Sequence, residues 1–233
     1  MCLIALAWRM RADLPLVVTA NRDEFYDRPT RPAHSWDDAP HVIGGRDLRA
    51  GGSWLAVGQG GRFAAVTNIR YAQIESGPSR GALVAGFIRG DDEPMAFLHR
   101  LAARARDYAG FHLILGDRHT LAHFSNADVE PSLIAPGLFG ISNAPPGVEW
   151  PKVALAREAV ASALAHDPET MAAELLDFLS TPRGTSIESE VFVAFPERGY
   201  GTRSSTVVIV NARGEVLFRE RNWPGGSTTS LVV

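Results

Sequence analysis

Cysteine occurs once in the chain, at position 2, directly after Met1. A thiol is a weak nucleophile until it loses its proton, and its reference pKa is about 8.5. Loss of Met1 puts a free α-amine on the same residue. That amine titrates at about 7.7–8.0, so near neutral pH part of it is free base. A base beside a nucleophile is the usual route to activation, and an N-terminal amine can fill that role. The peptidase that removes initiator methionine accepts a small second residue, and cysteine is small. The plainer reading of Cys2 is a small buried hydrophobe at the head of a strand; position alone favours neither.

A thiol that attacks an amide needs three kinds of help. Asn side chains or backbone N–H groups must hold the oxyanion. A carboxylate such as Asp23 would orient the α-amine. An arginine, ionised whatever its burial, would hold the thiolate. Residues of these types fall at the ends of apolar runs: Asn21 with Asp23, then Asn68, then Asn143, with Arg203 shortly before another run. Asparagine is also a common turn residue, so each alone reads as structural. Their value is joint.

The elements that must position them follow from the apolar pattern. Cys2–Trp8 is a continuous apolar run and Leu16–Ala20 a second, β-branched one, with Arg11 to Pro15 between them as a turn. A hairpin of these two runs brings Asn21, Arg22 and Asp23 back beside Cys2. Residues 25–52 read as loop, from Arg28-Pro29, Pro32 and the paired glycines at 44–45 and 51–52. Ser53–Val57 and Arg62–Asn68 form a second hairpin about Gly58–Gly61. The loop 69–80 carries Arg70 and Tyr71, and with 25–52 is expected to wall a pocket.

Helices are expected at Gly81–Ile88, Glu93–Asp107, Pro151–Ala165 and Glu169–Leu179. Strand pairs are expected at Phe111–Gly116 with Thr120–Phe124, and at Leu133–Ile134 with Leu138–Ile141. Closing strands are expected at Val191–Phe195, Thr206–Val210 and Glu215–Arg221. Short turns between strands imply antiparallel sheets, and helices segregated from strands imply sandwiched α+β layers. No linker, repeat or low-complexity tract interrupts residues 1–233, so the chain reads as one domain.

Composition narrows the function classes. A net charge of −3 supplies no general basic field for nucleic acid or an anionic membrane. A single cysteine excludes an intramolecular disulfide and a multi-cysteine metal site, and fits a reducing, cytoplasmic setting. No stretch reaches the ~18–20 apolar residues of a membrane span, and no basic segment precedes the short apolar start as in a secretory signal. The expected partner is a small molecule; the oligomeric state is not legible.

Met1-Cys2 and the run Thr19-Ala20-Asn21-Arg22-Asp23-Glu24 resemble the NRDE-domain family, also called the transport and Golgi organisation protein 2 family. Val66-Thr67-Asn68, Gly140-Ile141-Ser142-Asn143-Ala144-Pro145 and Gly201-Thr202-Arg203-Ser204-Ser205-Thr206 carry the resemblance to the last strands. More distantly, that family is similar to N-terminal-nucleophile hydrolases of the choloylglycine hydrolase and penicillin V acylase kind. The resemblance implies a four-layer αββα sandwich of two antiparallel sheets and cleavage of a linear amide by an N-terminal cysteine. It implies Cys2 as nucleophile and Asp23 as partner of its amine. It implies Asn68 and Asn143 as oxyanion donors and Arg203 as the cation near the thiol. Asn21 matches the asparagine of the hydrolases' acidic motif; with Arg22 and Arg70 it is a candidate substrate contact.

One departure stands out. Those hydrolases have an arginine before this asparagine, where this chain has Ala20; its arginine, Arg22, lies ~6.6 Å further along an extended strand. The family also implies a second reading, because its members are associated with Golgi organisation, haem trafficking and acyl-lipid or coenzyme A metabolism. In that reading the chain binds haem or an acyl compound without chemistry.

Other signals carry less. His119 and His123 on a strand would lie ~13 Å apart, too far to share a metal, so no metal site is expected. No C-x-x-C-H attaches haem covalently, although the Cys2 thiolate or a histidine could ligate it non-covalently. The glycine pairs lack phosphate-loop spacing. Arg46, Arg49, Arg62, Arg70 and Arg80 read first as solvated charges and second as carboxylate or phosphate contacts.

Overall fold

The computed structural model describes residues 2–70, 77–127 and 129–232. Fourteen strands and four α-helices follow along them. The strands are β1 (Cys2–Trp8), β2 (Leu16–Phe25), β3 (Thr30–Trp36), β4 (Ala39–Asp47), β5 (Leu55–Gly58) and β6 (Arg62–Asn68). Helices α1 (Gly81–Arg89) and α2 (Pro94–Ala102) come next, then β7 (Phe111–Gly116), β8 (Leu121–Ser125), β9 (Val129–Leu133) and β10 (Gly137–Ile141). The chain ends with α3 (Pro151–Ala163), α4 (Pro168–Ser180), β11 (Ala194–Phe195), β12 (Tyr200–Val210), β13 (Val216–Asn222) and β14 (Ser227–Val232). The expected α+β class with two antiparallel sheets holds.

Contacts divide the chain into two compact units: residues 1–28, 136–142 and 149–233 form the first, and 29–135 with 143–148 the second. The first holds a sheet in the order β10-β1-β2-β12-β13-β14, with β11 on β12. Helices α3 and α4 pack on it. Strands β1 and β2 are apolar runs because they lie inside the sheet and are buried along both faces. The second unit holds β3-β4-β5-β6-β7-β8-β9 with α1 and α2 against it. Its core joins Phe87, Leu98 and Leu101 of the helices to Trp36, Phe111, Leu113 and Phe124 of the sheet.

Several expectations are corrected. Residues 25–52 contain strands β3 and β4 rather than loop. Pro32, Gly44 and Gly45 belong to those strands. Pro32 sits on edge strand β3, where the pairing register shifts and no N–H is needed. Gly45 lies under Trp54, whose ring carbon would be 2.1 Å from an added Cβ. β9 and β10 do not pair with each other: β9 joins β8, and β10 joins β1. Pro136 lies between them and β10 opens on Gly137 at φ 144°, where the chain passes from one sheet to the other. The helix expected to reach Asp107 stops at Ala102, and a 3-10 turn at Ala105–Asp107 follows. β12 begins at Tyr200, six residues before the apolar run, because its first half is polar yet buried. β14, a polar edge strand, was not foreseen. Within the loop 69–80, residues 71–76, and so Tyr71, lie outside the described residues.

Candidate active site

The hairpin sets the site. In the β1–β2 register Cys2 stands opposite Arg22 and Leu3 opposite Asn21. Opposed residues share a face of the sheet, and successive residues alternate. Cys2 and Arg22 therefore share one face, and Asp23 points to the other, where α3 packs. On the far side of β2, Thr202 pairs with Asp23 and Ser204 with Arg22, across a register shift that leaves Arg203 out of the ladder.

The backbone N–H of Asp23 donates to the Cys2 thiol. Ser142 Oγ donates to the Cys2 carbonyl over 2.7 Å and ties β1 to the end of β10. Cys2 keeps some contact with solvent as a residue. Even so, burial pushes its thiol above the usual range, and the negative Asp23 adds to that; the amino terminus and Arg22 pull the other way. At neutral pH the group is a thiol, so a nucleophilic step there needs a base.

Asp23 is buried. Thr202 Oγ1 donates to its Oδ1 over 2.8 Å while accepting the Val193 N–H at 3.0 Å. Tyr200 Oη donates to the Asp23 carbonyl over 3.2 Å. Lys152 Nζ stands 4.0 Å from Oδ2. Burial raises the Asp23 carboxyl, and it is opposed in turn by the amino terminus, Lys152, Thr202 and Arg22. Burial lowers Lys152, and Asp23 opposes that most strongly.

The remaining expected residues divide. Arg22, at 6% exposure, acts on the thiol and reaches Glu24 at 3.8 Å. Arg203, expected as the thiol's cation, is engaged by backbone carbonyls. Its Nη1 donates to the carbonyls of Phe25, Tyr26 and Arg28, and its Nε to that of Trp223, so it closes the loop after β2. Asn21 is also engaged within the fold: its amide donates to Leu179 O and Val191 O, at 2.9 and 2.8 Å.

In the second unit Asn68, Arg70 and Asn143 come together. Asn143 Nδ2 donates to the Asn68 carbonyl over 2.5 Å, and the Arg70 N–H to the Asn143 carbonyl over 2.8 Å. His112 supports that segment through Nε2 to the Ala144 carbonyl at 2.8 Å, and its Nδ1 meets His123 Nε2 at 3.3 Å. His123 is thus a partner of His112 on the next strand. No group of three or more His, Cys, Asp and Glu among the described residues could hold a metal.

The sequence reading missed Lys152, Thr202, Tyr200 and His112. A signal for Lys152 was present: it lies four residues before Ala156 and eight before Val160, on the buried stripe of α3. A lone lysine on an apolar stripe is the mark of a buried charge. Thr202 sits in the quoted Gly201–Thr206 run, but only the pairing of β12 with β2 shows its partner.

A family model for Transport and Golgi organisation 2 matches residues 1–225. The Transport and Golgi organization protein 2 homolog of Bos taurus is 32% identical, over 92% of this chain and 88% of its own. That of Homo sapiens is 31% identical, over 89% and 86%. Two crystal structures of conjugated bile acid hydrolase from Clostridium perfringens share the fold. A cysteine-to-alanine mutant has a TM-score of 0.60 over 99% of this chain and 92% of its own, at 8% identity. An arginine-to-leucine variant has 0.59, over 98% and 92%, at 9% identity. At that identity the likeness is one of fold: the α+β arrangement is that of the N-terminal-nucleophile hydrolases. With its sequence matched from the first residue almost to the last, this chain belongs to the Transport and Golgi organisation 2 family.

Proposed function

We propose that the protein is an N-terminal-cysteine amidohydrolase that cleaves a linear amide of an acylated small molecule. The observation that carries this is the pairing at the head of β1, with Cys2 opposite Arg22 and the Asp23 N–H on the thiol. After removal of Met1, the Cys2 α-amine takes the thiol proton and Sγ attacks the carbonyl carbon. Asn68 and Asn143, which stand in the runs shared with the family, are the donors assigned to the oxyanion. Collapse breaks the C–N bond, and the ammonium returns its proton to the leaving amine. A thioester on Cys2 remains. Water, deprotonated by the same amine, attacks it and releases the carboxylic acid and the thiol. The raised thiol pKa makes such a base necessary. Among the described residues no helix is long and apolar enough to cross a membrane. We place the reaction in the cytoplasm, where a lone cysteine stays reduced.

Intact-mass measurement of the purified protein tests the first step, with loss of one methionine expected. Turnover of a panel of N-acyl amino compounds tests the rest. Cys2→Ala is expected to abolish it, and Cys2→Ser to leave on the order of a hundredth or less. A protein that keeps Met1, or hydrolyses amides equally well as Cys2→Ala, overturns the mechanism. A haem absorbance band lost in Cys2→Ala, with no amide hydrolysed, replaces it with the binding reading.

A further inference from the structure

Lys152 has no step in that reaction, yet it is fully buried at the start of α3, on the stripe of Ala156, Val160 and Ala163. Its Nζ makes no hydrogen bond to any described residue, and its nearest charge is Asp23 Oδ2 at 4.0 Å. The Trp150 ring lies beneath it at 5.5 Å. An ammonium removed from water is costly unless an opposite charge compensates it, and an apolar side chain would fit this stripe without that cost. The groups acting on Lys152 are Asp23 first, then Cys2, Glu188 and Glu190. Those acting on Asp23 are the amino terminus, Lys152, Thr202 and Arg22. Asp23 therefore joins a lysine that α3 fixes in place to the head of the β1–β2 hairpin, one residue past the partner of Cys2 in the ladder.

We propose that Lys152 is a positioning residue for Cys2: its ammonium anchors the Asp23 carboxylate as the buried counter-charge to the amino end of the nucleophile. The proposal takes its purpose from the amidohydrolase reading, but its test does not use turnover. Without Lys152, burial leaves Asp23 protonated. The negative charge beside the thiol then disappears, and the thiol ionises at lower pH.

Cys2 is the only cysteine, so alkylation by iodoacetamide, followed by intact mass across pH, reports this thiol alone. Lys152→Met is expected to lower the midpoint by about one pH unit, with about tenfold faster alkylation below it. Lys152→Arg keeps the charge and is expected to retain the wild-type midpoint. In the Asp23→Asn background the downward shift is expected to vanish, because it runs through the carboxylate; only the lysine's weaker direct pull on Cys2 is then lost, which moves the midpoint up. A wild-type midpoint in folded Lys152→Met, or the same shift in both backgrounds, overturns the proposal. If Lys152→Met does not fold, Asp23→Asn and Asp23→Asn/Lys152→Met are compared, where no buried carboxylate remains to be left unpaired. A double-variant midpoint equal to or above that of Asp23→Asn supports the proposal, and one clearly below it overturns it. A protein that hydrolyses no amide yet shows these midpoints loses the amidohydrolase reading and keeps this one.

Discussion

Thr202 shows how much one hydroxyl carries. It accepts the Val193 N–H and donates to Asp23 Oδ1, all of it buried. Thr202→Val keeps the volume but strands the Val193 N–H and removes the hydrogen bond donated to the carboxylate. A loss of about 1–3 kcal/mol is expected in urea unfolding. The Asp23 carboxyl should rise further, because a hydrogen bond to its charged form is gone. A Thr202→Ser variant restores the hydroxyl and is expected to recover most of both effects.

At the scale of elements, β12 owes its path to Gly201. An added Cβ there would lie 2.6 Å from the Val193 carbonyl and 2.3 Å from Tyr26 Oη. Tyr26 can swing away, but the β11 side of the ladder cannot. Gly201→Ala is expected to lower the melting temperature by several degrees and to loosen the strand that holds Thr202.

The β7–β8 pair makes a different prediction. The Ala144 carbonyl can only accept, so His112 donates from Nε2, and its Nδ1 accepts from His123. These roles are those of two neutral rings, the state that burial favours. Burial lowers both, and His123 falls to about 4, with His112 adding to the effect. Their folded pKa values lie below the unfolded value of about 6.5, so below that pH the unfolded chain binds more protons. Their contribution is complete above about pH 6.5 and is lost as pH falls toward about 4. Denaturant midpoints measured across that window should fall, and should fall less in His123→Phe.

Across the whole molecule, the first unit is assembled from three separated stretches of chain. β1 needs β10 beside it, and β2 needs β12, which arrives more than 170 residues later. A two-stranded hairpin alone is marginal in water. A fragment of residues 1–135 keeps β1 and β2 but loses both neighbours. Its residues 2–25 are expected to exchange amide protons like an unfolded chain, while hydrogen exchange of the full chain shows them protected. Persistent protection in the fragment would mean that the hairpin folds without its neighbours.

The sequence by itself determined what local pattern can carry. Apolar runs marked β1 and β2, and their short turn set the register that puts Arg22 and Asp23 at Cys2. The 3.6-residue period marked the helices, and the quoted runs marked the family. Tertiary structure alone decided which polar residues meet. Arg203 and Asn21 look like site residues by type, but carbonyls from distant segments engage them. Lys152 looks like an ordinary helix charge, but the packing of α3 on the sheet buries it against Asp23. Strands β3, β4 and the first half of β12 carry little apolar signal of their own. Their backbone hydrogen bonds are made to strands that sequence pattern alone does not name.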